Sequence, residues 1–268
     1  MEKKFTYIVF TDLDGSLLHR DTFKFDPIKD FIKNLINEGI IMVPNSSKTE
    51  NEIENFKEEL GIAIPFISEN GSAIHGLNLI NPNFPNKIIL SREKEELLKI
   101  FNSKVPDRLL NKCIQIFKLS TKEQEKIFGQ KDEKLKNVLK RKYTLPLLFS
   151  GDKVEKNKLI KILNSNSLTL QEGGRVINLC DNVNKVKSMN RVIKILKNVK
   201  NEIKTIGVGD NFNDLEMLKN CDIPCLVFND QFKLDQINIK NLIFSNKPSP
   251  EGWADVIKKA LDKLSYNV

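Results

Sequence analysis

The chain has 268 residues, 40% of them apolar, with 43 lysines and arginines against 35 aspartates and glutamates, a formal charge of +8. That length fits one large domain or two smaller ones. No apolar run reaches the roughly 20 residues of a membrane-spanning helix, so a helical membrane protein is excluded.

The N-terminal stretch "MEKKFTYIVFTDLDG" has no small-residue cleavage site and reads as a first strand rather than a signal peptide. Four scattered cysteines, Cys113, Cys180, Cys221 and Cys225, are then expected as reduced thiols of a cytoplasmic protein. After the first strand, Ile28, Phe31, Ile32, Leu35 and Ile36 recur at helical spacing, with Asp26 at the N-cap and Gly39 at the stop. "IIMVPNSS" reads as a second strand, "TENEIENFKEELG" as a helix with Ile53, Phe56 and Leu60 on one face, and "PFISENG" as a third strand. Strand, helix, strand, helix, strand implies a parallel sheet with right-handed crossovers.

Between roughly Asn83 and Asp181 the pattern changes. Helical "REKEELLKIF", "KLKNVLKRKY" and "KNKLIKIL" interleave with strands "CIQIFKLS", "LPLLFS", "LTLQEG" and "RVINLC", as in an antiparallel or mixed sheet covered by helices. The α/β pattern resumes with helical "SMNRVIKILKNV" and the buried strand "KTIGVGD", and closes with the helix "PEGWADVIKKALDKL". The expected architecture is an α/β protein. A parallel-sheet Rossmann-like core, residues 1–82 and 183–268, is interrupted by an inserted α+β cap, residues 83–182. The lysines are spread among Glu and Asn on helical faces. Only "LKRKY", Leu139 to Tyr143, is densely basic, and it is read as a solvated face, so nucleic acid is not an expected partner.

Ligands of open α/β sheets bind outside the carboxyl ends of the strands. That rule selects "DLDGS", "NSSKT", Asn184-Lys185 and "GDNFND". They supply several carboxylates, hydroxyls and lysines. Two carboxylates, Asp12 and Asp14, at the mouth of a buried strand cost stability unless a cation or substrate compensates them. Carboxylates gathered without histidine or thiolate suit a hard cation, Mg²⁺ above all. A carboxylate beside Mg²⁺ and a phosphate can attack phosphorus and form an aspartyl phosphate.

These motifs, in this order from Asp12 to Asp214, resemble the haloacid dehalogenase superfamily of phosphatases, and the insert resembles its larger, type-IIB cap. "NSSKT", "ENGSAI", "EGGR" and "GDNFNDLEML" look more narrowly like its mannosyl-3-phosphoglycerate phosphatases and their glucosyl counterparts. The resemblance implies Asp12 as nucleophile and metal ligand. It implies Asp14 as general acid/base, its backbone carbonyl ligating metal, and Asp210 and Asp214 as further metal-site acids. It implies Asn213 as a residue that either ligates the metal or supports a ligand. Lys185 matches the phosphate-neutralising lysine, with Lys187 as a near rival. Ser46 matches the phosphate-bonding hydroxyl, and Ser47, Lys48 and Asn70 lie within substrate reach. In the cap, Gly174 and Arg175 are candidates for the glycerate end. Three departures stand out: Asn184-Lys185-Val186 replaces Asp-Lys-Gly, Leu145 stands at the position of a cap glutamate, and Asn178 at that of a histidine.

The expected function is therefore a Mg²⁺-dependent phosphatase of a small phosphorylated glycoside, mannosyl-3-phosphoglycerate first and the glucosyl ester second. The product would be a glycosylglycerate compatible solute. The rivals are a general sugar-phosphate phosphatase, a phosphohexomutase-like phosphotransferase and a non-catalytic RNA-binding protein.

Overall fold

A computed structural model describes residues 5–173, 175–200, 202–230 and 237–264. The first strand, β1 (Thr6–Thr11), is followed by α1 (Lys29–Asn37), β2 (Ile41–Pro44), α2 (Glu50–Leu60), β3 (Phe66–Ser68), β4 (Ala73–His75) and β5 (Lys87–Ile89). The insert contributes α3 (Lys94–Lys104), α4 (Asp107–Leu110), β6 (Cys113–Gln115), α5 (Thr121–Phe128), α6 (Asp132–Leu139), β7 (Thr144–Phe149), α7 (Lys153–Asn164), β8 (Leu168–Glu172) and β9 (Ile177–Asp181). The chain then returns through α8 (Lys185–Leu196), β10 (Ile203–Gly209), α9 (Leu215–Lys219), β11 (Ile223–Leu226), β12 (Ile243–Phe244) and α10 (Glu251–Lys263).

The central sheet has the order β12-β11-β10-β1-β2, with every pairing parallel. Strand alternation sends successive side chains of β1 to opposite faces. Val9 joins a cluster with Ile32 and Leu35 of α1, Ile53 of α2, and Trp253 and Ile257 of α10. Ile8 and Phe10 point the other way, against Met189 and Val192 of α8 and Met217 of α9. Helices on both faces bury the sheet from both sides, which is why its strands read as continuous apolar runs. Trp253 is fully buried, and its indole N–H donates to Thr11 Oγ1 at 2.9 Å, satisfying the one polar atom it takes inside.

The insert forms a four-stranded antiparallel sheet, β6-β7-β9-β8. Leu145, Leu147 and Leu179 face α3 and α7, where they meet Leu97, Phe101 and Leu159. The expected α/β core with an α+β cap is the observed class. None of the helices among the described residues is long and apolar enough to cross a membrane.

Several local expectations change. The Asp26–Ile28 segment is a 3-10 turn, and α1 starts three residues later than its N-cap signal. Rather than extending the parallel sheet, β3 pairs antiparallel with β4, and β4 with β5, and just beyond β2 Asn45 makes an isolated parallel bridge to Ile67. Residues 87–89 therefore pair on the core side of the division expected at residue 83. "CIQIFKLS" is strand only over Cys113–Gln115. His75 is buried, stacked on Phe66 at 4.4 Å with Nε2 bonded to Ser68 Oγ at 2.9 Å.

The helix expected to run to Tyr143 stops at Leu139, because Glu69 claims the backbone beyond it. Fully buried on the core side, Glu69 accepts from Lys142 N at 2.9 Å, Tyr143 N at 3.0 Å and Thr144 Oγ1 at 2.7 Å. One carboxylate thus ties the core to the start of β7. Hydrogen bonds to a charged acceptor contribute more than neutral ones, and leaving their buried donors unpaired is costly.

Glu69→Ala is expected to lower unfolding stability by about 2–4 kcal/mol in denaturant titration, against less than about 0.5 kcal/mol for exposed Glu59→Ala. A second expectation concerns acid. Burial pushes the His75 pKa down to about 4, against the pull of Glu50, below its ordinary 6.5. Below pH 6.5 the unfolded chain protonates first, so this contribution is lost as the pH falls toward 4. The melting-temperature advantage of wild type over His75→Gln should shrink from pH 7 to pH 4.5, and an unchanged gap would refute it.

Candidate active site

The carboxyl ends of β1, β2 and β10 and the start of α8 converge. Parallel strands in register put these ends on one edge, which brings residues 12, 46, 185 and 210 together. Asp12 leaves β1 with its N–H still bonded to Val208 O at 2.9 Å. Beyond it the chain turns at Gly15, at φ +82°, where a Cβ would lie 2.6 Å from Asp210 Oδ2. Only glycine allows that approach. Ser16 Oγ then donates to Asp210 Oδ1 at 2.9 Å.

Lys185 Nζ donates to Asp12 Oδ1 at 2.8 Å and to Asp214 Oδ1 at 2.7 Å. Burial opposes its charge, but the two carboxylates prevail and hold its pKa above the ordinary lysine value. The rival Lys187 is exposed and bonds to Asn182. Asn45, at the end of β2, donates to the Lys185 carbonyl at 2.9 Å and fixes the first turn of α8.

Asp214 Oδ2 accepts the backbone N–H groups of Asp210 and Asn211, each at 3.2 Å. Carboxylate oxygens of Asp12, Asp210 and Asp214 lie within 4.8 Å of one another, all three side chains buried. Burial, then Asp214 and Asp12, push the Asp210 carboxyl up to about 7. Arg20 partly offsets this from 2.8 Å, and Asn229 Nδ2 donates to Asp210 Oδ2 at 3.0 Å. The group presents oxygen ligands only, in buried and like-charged company, which suits a hard divalent cation.

Asp14 stands apart from that group. Its carboxylate pairs with Lys48 Nζ at 3.0 Å, and Lys48 also reaches Glu52 at 3.1 Å. Burial raises the Asp14 pKa while Lys48 opposes it. Glu52 is held in place by the α2 capping box, accepting from Thr49 N at 3.0 Å.

Above these groups lies a cavity of about 460 Å³. Asp12, Asp14, Ser47, Lys48 and Asn213 line it from the core, and Arg141, Arg175 and Asn178 from the cap. Ser46 and Asn70 are buried outside the lining. Ser46 Oγ accepts from Lys48 N at 3.3 Å, and Asn70 N donates to Ser46 O at 2.9 Å. Gly174 lies outside the described residues. Arg175 spends its guanidinium on the carbonyls of Phe128 and Arg20.

Sequence reasoning passed over four residues here. Arg141, in the stretch read as a solvated face, is buried and donates to Ser47 O at 3.1 Å and Thr144 Oγ1 at 3.0 Å. Glu52 had a local signal, its i,i+4 spacing from Lys48. Arg20 had none. Phe23 sits at φ +60°, a conformation costing a bulky residue about 1–3 kcal/mol, with its ring 4.8 Å from Lys48 Nζ and 5.3 Å from the Arg175 guanidinium.

Residues 9–238 match the family model described as haloacid dehalogenase-like hydrolase. A glucosyl-3-phosphoglycerate/mannosyl-3-phosphoglycerate phosphatase of Methanococcoides burtonii is 30% identical, covering 96% of this chain and 98% of its own. The protein of the same description from Persephonella marina is 29% identical over 96% and 98%. Among solved structures, a phosphatase of the haloalkanoate enzyme superfamily from Bacteroides thetaiotaomicron aligns with a TM-score of 0.69 at 16% identity, covering 97% and 96%, a likeness of fold. With the acids and the lysine of this fold gathered at one sheet edge, the chain belongs to the haloacid dehalogenase-like hydrolases, as one of their phosphoric monoester hydrolases.

Proposed function

We propose that the protein is a Mg²⁺-dependent phosphatase that hydrolyses a glycosyl-3-phosphoglycerate through an aspartyl-phosphate intermediate, with the mannosyl ester as first substrate and the glucosyl ester as second. The observation that carries this reading is Lys185, whose ammonium bridges Asp12 and Asp214 beneath a cavity with cap arginines on its far wall. Support for the substrate comes from the two relatives described above, and from a cavity large enough for a phosphorylated glycoside.

In this reading Asp12 attacks the phosphorus, and the bond from phosphorus to the leaving oxygen breaks. Asp14, its carboxyl raised by burial, gives the leaving oxygen its proton. Asp14 then takes a proton from the water that attacks the phosphoaspartate, releasing phosphate and restoring Asp12. Lys185 stays charged throughout and offsets the phosphoryl oxygens. Asp12, Asp210 and Asp214 would hold the Mg²⁺, which supplies charge neutralisation at the phosphoryl group. The product glycosylglycerate would serve as a compatible solute in the cytoplasm. Against the RNA-binding rival stands Arg141, which is turned inward at the centre of the basic cluster Leu139 to Tyr143.

Asp12→Asn should lower phosphate release from mannosyl- and glucosyl-3-phosphoglycerate by about 10³-fold or more, with the fold intact by circular dichroism. Chelation should abolish release by the wild type, and added Mg²⁺ should restore it. Full activity in excess chelator would remove the metal from the reaction, and release from hexose phosphates alone would reject the phosphoglycerate esters.

A further inference from the structure

Two residues on the cap wall of the cavity each carry a polar atom with no hydrogen-bond partner among the described residues. Arg141 is 7% exposed and Asn178 1% exposed, and both line the cavity. Two donors of Arg141 have partners, yet its Nε–H has no hydrogen-bond partner among the described residues. Asn178 Oδ1 likewise has none. A buried donor or acceptor left unpaired costs about 1–3 kcal/mol, so two on one cavity wall point to a ligand that completes them.

Strand register explains how they arrive there. Asn178 on β9 is paired with Pro146 on β7, and Leu179 with Leu145. Alternation sends Leu145 and Leu179 into the apolar layer beneath α3 and α7, and Asn178 to the opposite face, toward the core. Arg141 reaches the same side, braced by Thr144 Oγ1 on β7 and by the Ser47 carbonyl beside the catalytic acids. Its guanidinium is fixed before any ligand arrives, so little rotamer freedom remains to be lost. Arg175, the other cap arginine in the cavity lining, is exposed and has its donors on backbone carbonyls.

We infer that Arg141 and Asn178 form the subsite for the leaving group. Arg141 Nε–H donates to a carboxylate on the leaving alcohol, and the Asn178 carboxamide bonds a hydroxyl of its sugar. The ligand class is an alcohol bearing both an acid and neighbouring hydroxyls. This rests on the proposed substrate and assigns its two ends to two residues. Both are specificity-determining and neither takes part in the proton or phosphoryl transfers.

The test measures kcat and KM of the wild type, Arg141→Gln and Asn178→Leu on four substrates. These are the mannosyl and glucosyl esters of 3-phosphoglycerate, 3-phosphoglycerate itself, and p-nitrophenyl phosphate, which has neither acid nor sugar. Arg141→Gln should raise KM about 10- to 100-fold for every phosphoglycerate and leave p-nitrophenyl phosphate within about twofold. Asn178→Leu should raise KM about 5- to 10-fold for the glycosylated esters alone. Equal losses on all substrates would overturn the subsite, since they would mean damage to the fold or to the chemistry. Because Arg141 also braces Ser47, its variant is compared by melting temperature, and Asn178→Leu, which breaks no bond of that brace, stands as the independent arm. A wild type that cleaves hexose phosphates and p-nitrophenyl phosphate but no phosphoglycerate would refute the substrate reading and the Arg141 assignment together. In that case a loss by Asn178→Leu on hexose phosphates but not on p-nitrophenyl phosphate would uphold the hydroxyl contact.

Discussion

A single ammonium group, Lys185 Nζ, holds the site together. It lies between Asp12 at 2.8 Å and Asp214 at 2.7 Å, in a pocket where all three residues are buried. Carboxylates packed this closely resist ionising together. Burial above all, then Asp214 and Asp12, push the Asp210 carboxyl up to about 7 even with Arg20 beside it. The site is therefore short of positive charge by construction, a disposition that favours a divalent cation and a phosphoryl group arriving together. A buried pair is a weak source of stability, and here its use is to aim Asp12.

The two acids at the opening of the chain's chemistry end up with separate environments. Asp12 faces Lys185, Asp210 and Asp214, while Asp14 turns to Lys48 and Glu52. Placing carboxylates two residues apart on a turn gives each its own cationic partner, Lys185 for Asp12 and Lys48 for Asp14.

Much of this was legible in the sequence because it follows from strand ends. "DLDGS", "NSSKT", Lys185 and "GDNFND" converge for the simple reason that parallel strands finish on one edge, so finding the strands locates the acids. Of Lys185 and Lys187, rivals at the level of local pattern, it is Lys185 that the first turn of α8 points at Asp12. What stayed hidden depends on pairings between distant segments. Glu69 reads as an ordinary turn residue until residues 142–144 are laid against it, and the same contact ends α6 early. Arg141 looked like one cation of a basic helix because helical periodicity was extended through it. His75 carried no local sign that Phe66 would stack on it. The β3 hairpin deceived for a related reason: a short apolar run does not reveal whether its partner strand is parallel or antiparallel.

The cap clasp links these hidden residues to the chemistry. Glu69 draws in the backbone of Lys142 and Tyr143 and the hydroxyl of Thr144, and that same hydroxyl accepts from Arg141, which in turn donates to the Ser47 carbonyl. Core and cap are therefore joined by a hydrogen-bonded chain that runs directly from a structural carboxylate to the cavity wall. Such a chain fixes the height of the cap above Asp12, and with it the length of leaving group that can span from the phosphoryl position to Arg141 and Asn178. Specificity in this arrangement does not require a dedicated acid on the cap at position 145. Leucine there strengthens the apolar layer under α3 and α7, and the recognition of polar groups passes to the neighbouring strand, whose register turns Asn178 toward the site.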